Sequence, residues 1–129
     1  MKILLVDDAA DIRLLVTAVL ATSEHFEVVA MRSGAEGLEY LQEEPVDALL
    51  VDLMMPEMDG IEFLERCQAI ASAAGLPAVL LTGSADSERV SQLRGARLAG
   101  VIAKPFNPQV LDEKLQTILG LKPATPASD

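Results

Sequence analysis

Carboxylates, an amine and a hydroxyl follow or end four short apolar segments of this sequence. Asp7 and Asp8 follow the first segment, Asp52 follows the third, Thr82 ends the fourth and Lys104 follows the fifth. Short apolar runs without polar alternation are typical of strands buried on both faces of a parallel sheet. The carboxyl ends of such strands share one edge, where open α/β sheets bind ligands. If the winding reverses between the first and third strands, the three carboxylates share one pocket.

Three carboxylates in one pocket repel one another, and at least one pKa is raised unless a cation is present. Mg²⁺ suits a site made of a few carboxylates, water and a phosphate. Lys104 adds a fixed positive charge, Thr82 adds a hydroxyl, and Gly83 leaves backbone N–H groups accessible. This set fits phosphoryl transfer in which one carboxylate acts as the nucleophile and forms an aspartyl phosphate. The sequence has neither a P-loop nor a dinucleotide fingerprint, so it indicates no bound nucleotide.

Five strand candidates alternate with five helix candidates along the chain. Ser33, Asp59 and Asn107 are suited to cap the second, third and fifth helices. The fourth helix, over about 86–98, has only weak apolar support. The alternation predicts a doubly wound α/β fold, in which a five-stranded parallel sheet carries helices on both faces. The strand candidates are residues 3–6, 26–31, 48–51, 78–81 and 100–103.

Length and composition fit one acidic domain. The 129 residues include 20 acidic and 10 basic ones, for a formal net charge of −10. A surface of this charge repels nucleic acid and anionic lipid, so we expect neither as a partner. The sequence lacks an apolar stretch of about 20 residues and the features of a signal peptide, which predicts a cytoplasmic protein without a membrane span. We expect residues 1–120 to form the domain and residues 121–129 to be a loose tail.

Four motifs occur in one order along the chain, each at the end of a strand candidate. They are Asp7-Asp8, Asp52-x-x-x-Pro56-x-x-Asp59-Gly60, Thr82-Gly83 and Lys104-Pro105-Phe106. Each motif alone is common, but their ordered combination resembles the receiver domain of two-component response regulators, in particular the stand-alone chemotaxis type. The resemblance covers about residues 2–120 and implies a flavodoxin-like receiver fold with strand order 2-1-3-4-5.

The resemblance implies a role for each residue of the pocket. Asp52 accepts a phosphoryl group from a sensor histidine kinase or a histidine phosphotransfer protein. Mg²⁺ is bound by Asp52 and Asp8, by Asp7 through water, and by the backbone carbonyl of Met54. The Thr82 hydroxyl and the Lys104 amine bind phosphoryl oxygens, and the Lys104–Pro105 bond is cis.

The resemblance also implies how such a protein signals. Phosphorylation changes its contacts with an output protein, whose identity the sequence does not give, and the protein is a monomer or a weak homodimer. It is not an enzyme acting on other substrates, but it catalyses its own phosphorylation and slow dephosphorylation.

Two positions affect what the resemblance implies about switching and dephosphorylation. Val101 replaces the aromatic residue that many receivers have there, and the apolar Met54 offers no group to orient an attacking water.

Two other functions compete with this interpretation. A receiver fold can serve as an interaction scaffold that works without phosphorylation, although such a scaffold has no need of Asp8, Asp52 and Lys104 together. A phosphatase of the haloacid-dehalogenase kind also forms an aspartyl phosphate with Mg²⁺. That enzyme needs an Asp-x-Asp motif after its first strand and a cap over the substrate, whereas this chain has Asp7-Asp8-Ala9 and no insertion large enough for a cap.

Overall fold

A parallel sheet of five strands forms the centre of the computed structural model, which describes residues 1–83, 87–91, 93 and 97–121. The strand order is β2-β1-β3-β4-β5, as the resemblance implies. The chain therefore reverses its winding direction between β1 and β3, which pair directly. The strands are β1 (Lys2–Val6), β2 (Glu27–Met31), β3 (Ala48–Asp52), β4 (Pro77–Thr82) and β5 (Arg97–Ala103).

Helices cover both faces of this sheet. One layer is formed by α1 (Ala10–Leu20) and α5 (Leu111–Ile118). The opposite layer contains α2 (Gly34–Glu43), α3 (Gly60–Cys67) and the short α4 (Ser87–Ser91). Successive residues of the inner strands enter opposite layers, and all five residues of β3 are buried. This double burial is the reason that the strands are apolar throughout instead of alternating with polar residues.

The predicted helix caps are present at three helix starts. The Ser33 side chain accepts a hydrogen bond from the Glu36 amide, and Asp59 accepts one from the Glu62 amide. Asn107 accepts a hydrogen bond from the Gln109 amide and begins a 3₁₀ turn that leads into α5. Each cap satisfies a donor that a helix start leaves without an intrahelical partner.

The boundary between the fourth helix and the fifth strand differs from the sequence prediction. β5 begins at Arg97 instead of Gly100, so Leu98 belongs to this strand and not to the helix. Its first residues pair with β4, and an irregularity beside Ala78 and Val79 admits one extra residue on β5. This pairing extends the strand beyond the apolar run from which it was predicted. The described part of the helix is Ser87–Ser91, and the rest of the predicted helix lies mostly outside the described residues.

Two further predictions concern the tail and the membrane. The predicted loose tail, except for Leu121, lies outside the described residues. None of the helices that the structure describes has both the length and the apolar character needed to cross a bilayer.

Candidate functional site

Four strand ends place the predicted site residues at one edge of the sheet. Asp7 follows β1, Asp52 is the last residue of β3, Thr82 is the last residue of β4 and Lys104 follows β5. The ends of β4 and β5 are also joined directly, because the backbone N–H of Lys104 donates to the Thr82 carbonyl at 2.7 Å. Parallel pairing of β1, β3, β4 and β5 in adjacent positions thus brings distant parts of the chain to one site.

The three aspartates of this edge form a cluster that suits a metal ion. Asp7, Asp8 and Asp52 each present a carboxylate oxygen, and these oxygens all lie within 4.8 Å of one another. Asp7 is fully buried and Asp52 is 5% exposed, whereas Asp8 faces solvent. A hard divalent cation prefers such a set of oxygen ligands, and its charge would offset the repulsion among the carboxylates. The donor set therefore fits Mg²⁺.

The Lys104 ammonium lies between the two buried carboxylates. Its Nζ is 3.1 Å from Oδ2 of Asp7 and 3.2 Å from Oδ1 of Asp52. Burial alone lowers the pKa of Lys104, but the hydrogen bond that its ammonium donates to Asp7 and the charges of both aspartates outweigh burial and raise this pKa. Lys104 is therefore held as a cation at the centre of the site.

The Asp52 carboxylate is subject to opposing influences. Burial is the largest, and together with the negative charge of Asp7 it raises the pKa of Asp52. The charge and hydrogen bond of Lys104 act in the opposite direction, as does the backbone N–H of Met54, which donates to Oδ1 of Asp52 at 3.4 Å. A second cation at the cluster would favour the ionised carboxylate further, by the same charge effect.

Asp7 is fixed on several sides. Its Oδ1 accepts a hydrogen bond from the Ala9 amide at 2.9 Å, and its backbone N–H donates to the Met31 carbonyl at 3.1 Å. The Arg13 guanidinium donates to the Asp7 backbone carbonyl at 2.8 Å. Sequence reasoning missed Arg13, because an arginine in the second turn of an amphipathic helix carries no signal of such a contact.

Thr82 stands at the same edge, but its hydroxyl is engaged locally. The residue is 7% exposed, and its Oγ1 donates to the Gly83 carbonyl at 2.7 Å. The structure thus brings Asp7, Asp8, Asp52 and Lys104 together, while the Thr82 hydroxyl has to leave the Gly83 carbonyl before it can donate to another group.

Gly60 supports the backbone that carries Asp52. A Cβ atom at this position would lie 2.6 Å from the Asp52 carbonyl oxygen and 2.9 Å from the Leu53 Cα. The Gly60 N–H also donates to the Leu53 carbonyl at 2.8 Å. From the sequence, Asp59 is expected only to cap the third helix. The structure adds that the first residue of α3 packs directly on the end of β3.

Two further positions lie close to the site or on β5. The Met54 side chain, two residues beyond Asp52, is 60% exposed, so it projects into solvent beside the carboxylates. Val101 is 43% exposed on β5. The predicted cis bond between Lys104 and Pro105 is present.

Comparison with known proteins identifies the family. A profile of the response regulator receiver domain matches residues 3–116. This chain belongs to the response regulator receiver family. Receivers are the domains of two-component signalling, so the family assignment predicted from the four motifs is confirmed.

Individual receivers are similar to this chain over almost their whole length. A chemotaxis protein CheY homolog of Campylobacter jejuni is 34% identical over 121 residues, covering 93% of this chain and 93% of that protein. The solved structure of the chemotaxis protein CheY4 of Vibrio cholerae is 32% identical, with a TM-score of 0.81, and the match covers 92% of this chain and 98% of that chain.

A third relative bears on the acidic cluster. It is the receiver domain of a sensor histidine kinase from Pseudomonas aeruginosa, which is 26% identical with a TM-score of 0.77 over 92% of this chain and 97% of that chain. Its structure was solved with a magnesium ion coordinated in the active site cleft.

Proposed function

We propose that this receiver accepts a phosphoryl group on Asp52 and signals through altered contacts with other proteins. The observation that supports the proposal best is the position of Lys104, whose Nζ bridges Asp7 and Asp52 at 3.1 and 3.2 Å. A nucleophilic carboxylate, a fixed cation and a cluster of metal-binding oxygens are the groups that phosphoryl transfer to an aspartate requires.

The transfer step forms one bond and breaks one. An oxygen of the Asp52 carboxylate attacks the phosphorus of a phosphohistidine, a P–O bond forms, and the P–N bond breaks with its electron pair returning to the imidazole nitrogen. Asp52 has to be ionised for this attack. Lys104 favours the ionised form, against the effects of burial and of Asp7.

Asp8 and Asp52 would hold Mg²⁺ directly, together with the backbone carbonyl of Met54, and Asp7 would hold it through water. The ion would neutralise negative charge on the phosphoryl oxygens and on the carboxylates. The Lys104 ammonium would bind a phosphoryl oxygen. The Thr82 hydroxyl would do the same after leaving the Gly83 carbonyl, to which it donates at 2.7 Å.

In this proposal, both the phosphoryl donor and the output partner are proteins. A sensor histidine kinase or a histidine phosphotransfer protein supplies the phosphoryl group, and an output protein distinguishes the two states of the receiver. The protein acts in the cytoplasm as a monomer or a weak homodimer. The net charge of −10 argues against nucleic acid or an anionic membrane as the output partner.

Incubation with acetyl phosphate and Mg²⁺, followed by intact-mass measurement, tests the proposal. We expect the wild-type protein to gain one phosphoryl group and Asp52→Asn to gain none. Asp47→Asn is the matched control, because Asp47 precedes the opposite end of the same strand and accepts a hydrogen bond from the Lys2 amide. This variant should be phosphorylated like the wild type.

Two outcomes would contradict the proposal. Wild-type protein that gains no phosphoryl mass in the presence of Mg²⁺ would favour a scaffold that works without phosphorylation. Undiminished phosphorylation of Asp52→Asn would place the acceptor at another residue. If Asp52 is the acceptor, a side-by-side transfer assay with a panel of histidine kinases would identify the cognate donor as the kinase that transfers the phosphoryl group fastest.

A further inference from the structure

The loop between β1 and α1 consists of Asp7, Asp8 and Ala9, and it carries two of the three clustered carboxylates. Ala9 occupies the N-cap position of α1, and its side chain cannot accept a hydrogen bond from the first helical turn. α1 therefore lacks the side-chain cap that Ser33 supplies to α2 and Asp59 to α3. The geometry of the loop has to be held by other contacts.

Two contacts hold this loop, one within the loop and one from α1. The Asp7 carboxylate accepts a hydrogen bond from the Ala9 amide at 2.9 Å. From the second turn of α1, Nη1 of Arg13 reaches back and donates to the Asp7 backbone carbonyl at 2.8 Å. This carbonyl belongs to the peptide group that joins Asp7 to Asp8. The Arg13 hydrogen bond consequently restrains the peptide group that precedes the Asp8 Cα atom, to which the Asp8 side chain is attached.

Asp8 differs from its two neighbours in how its side chain is held. Lys104 pairs with Asp7 and with Asp52. Asp8 is exposed, and within the described residues its carboxylate takes part in no hydrogen bond or ion pair with another side chain. The direction of the Asp8 carboxylate therefore depends on its backbone. The Asp7 side chain restrains the peptide group that follows Asp8, and Arg13 restrains the one that precedes it.

We propose that Arg13 is a positioning residue of the acidic site, which holds the Asp7–Asp8 peptide so that the Asp8 carboxylate faces the cation. The inference rests on the proposed function, because it requires that the cluster binds Mg²⁺. Arg13 touches neither the reacting atoms nor the metal in this role. It acts on Asp8 through the Asp7 carbonyl, as residues behind a metal ligand commonly do.

Charge and positioning predict opposite effects of removing Arg13. Arg13→Met retains much of the aliphatic stem but removes a positive charge near the cluster, so electrostatics alone would strengthen Mg²⁺ binding. Loss of the hydrogen bond to the Asp7 carbonyl would release the loop and weaken binding. The sign of the change in the dissociation constant for Mg²⁺ therefore distinguishes the two effects.

Calorimetric Mg²⁺ titration of the whole chain, with amide chemical shifts of Asp8 and Ala9 recorded in parallel, tests the inference. We expect Arg13→Met to weaken Mg²⁺ binding about tenfold. Arg13→Lys should recover most of the loss, because an ammonium on a similar stem can donate to the same carbonyl. Arg66→Met is the control that removes the same charge elsewhere, since Arg66 pairs with Glu62 on the exposed side of α3. The Mg²⁺ affinity of this variant should stay within about twofold of wild type.

A double-mutant cycle separates positioning of Asp8 from a general weakening of the protein. In an Asp8→Asn background, Arg13→Met should weaken the remaining Mg²⁺ binding much less than it does in the wild type. If Arg13→Met fails to fold, Arg13→Gln, which keeps a donor on a shorter stem, takes its place and should again weaken binding. Full additivity of the two substitutions would refute the inference.

The two proposals fail in different ways. Wild-type protein that shows neither heat of binding nor shifts of the Asp8 and Ala9 amides would overturn the proposed function together with this inference. Wild-type binding combined with unchanged or tighter binding by Arg13→Met would overturn the role of Arg13 alone.

Discussion

At the residue scale, Lys104 is the counter-ion of two buried carboxylates. Its ammonium lies near Asp7 and Asp52, which are 97 and 52 positions away in the chain, and it offsets part of the repulsion between these two buried carboxylates. Burial and the Asp7 charge nevertheless leave the pKa of Asp52 raised. The burial and charge that raise this pKa therefore cost stability in the metal-free protein, as is common for functional sites.

The first prediction concerns Asp52 and pH in the absence of metal. Since its pKa is raised above the ordinary value of 3.8, the folded protein binds a proton at Asp52 more readily than the unfolded chain does. The ionised carboxylate thus destabilises the fold at neutral pH, and this effect disappears as the pH falls through the raised pKa to below 3.8. Asp52→Asn should raise the melting temperature by roughly 2–6 °C at pH 7.

Circular dichroism melts in EDTA between pH 7 and pH 4 measure this difference. The advantage of Asp52→Asn over wild type should shrink steadily towards the acid end of the series. Asp47→Asn serves as the control and should show no such advantage. A constant difference across the series would mean that the gain does not arise from ionisation of Asp52.

The second prediction concerns the ammonium itself. Lys104→Met leaves Asp7 and Asp52 buried without their shared cation, so it should lower the free energy of unfolding by about 1–3 kcal/mol in EDTA. Urea denaturation measures the loss. Lys114→Met, on the exposed side of α5, removes the same charge and should change stability by less than about 0.5 kcal/mol. Equal stability of the two variants would show that Lys104 does not hold the carboxylates together.

At the scale of secondary-structure elements, α3 packs through Gly60 on the backbone at the end of β3, which carries Asp52. The interpretation of Asp59 as a cap, made from sequence, is confirmed by its hydrogen bond from the Glu62 amide. The close approach of Gly60 to the Asp52 carbonyl could not be predicted, because it depends on the angle at which α3 returns to the sheet. The helical spacing of Leu15, Val16 and Leu20 in the sequence predicts that all three belong to one apolar stripe of α1, but Val16 and Leu20 are buried whereas Leu15 is exposed.

The third prediction tests this packing. Gly60→Ala would place a methyl group 2.6 Å from a backbone oxygen that cannot move without shifting the end of β3. We expect it to lower the free energy of unfolding by about 1–3 kcal/mol and to slow phosphorylation by acetyl phosphate. Gly100→Ala provides the comparison, because its nearest contact, at 2.7 Å, is the movable side chain of Ile118.

Both glycine variants are compared by urea denaturation and by the rate of mass gain. Gly100→Ala should lose less stability than Gly60→Ala and should keep the wild-type phosphorylation rate. A Gly60→Ala protein with normal stability and rate would show that the end of β3 tolerates displacement.

At the scale of the whole molecule, the excess of negative charge affects the stability of the fold. Acidic residues outnumber basic ones by 20 to 10, and between Arg32 and Arg66 the sequence contains no lysine or arginine. A net charge far from zero destabilises the compact state through self-repulsion, and salt screens this repulsion. Any cation will therefore stabilise this protein to some degree, and specific binding of Mg²⁺ has to be separated from that general effect.

The fourth prediction makes this separation. At equal ionic strength, MgCl₂ should raise the melting temperature of the wild-type protein more than NaCl does, because an ion bound only by the folded state stabilises it by about 2.7 kcal/mol at a hundredfold excess over the dissociation constant. Asp8→Asn should lose most of the additional stabilisation and keep the NaCl effect. Equal responses to the two salts in the wild type would contradict a specific site.

The sequence by itself determined the class of fold and the residues at the strand ends. Runs such as Leu49-Leu50-Val51 need burial on both faces, and only a sheet covered by two helical layers provides it. Tertiary structure alone decided that Lys104 bridges Asp7 and Asp52, that Arg13 holds the Asp7 carbonyl and that Gly60 packs on β3. These contacts join segments far apart in the chain or depend on differences of less than an ångström. Local periodicity reports burial within one element, and it carries no information about such distances.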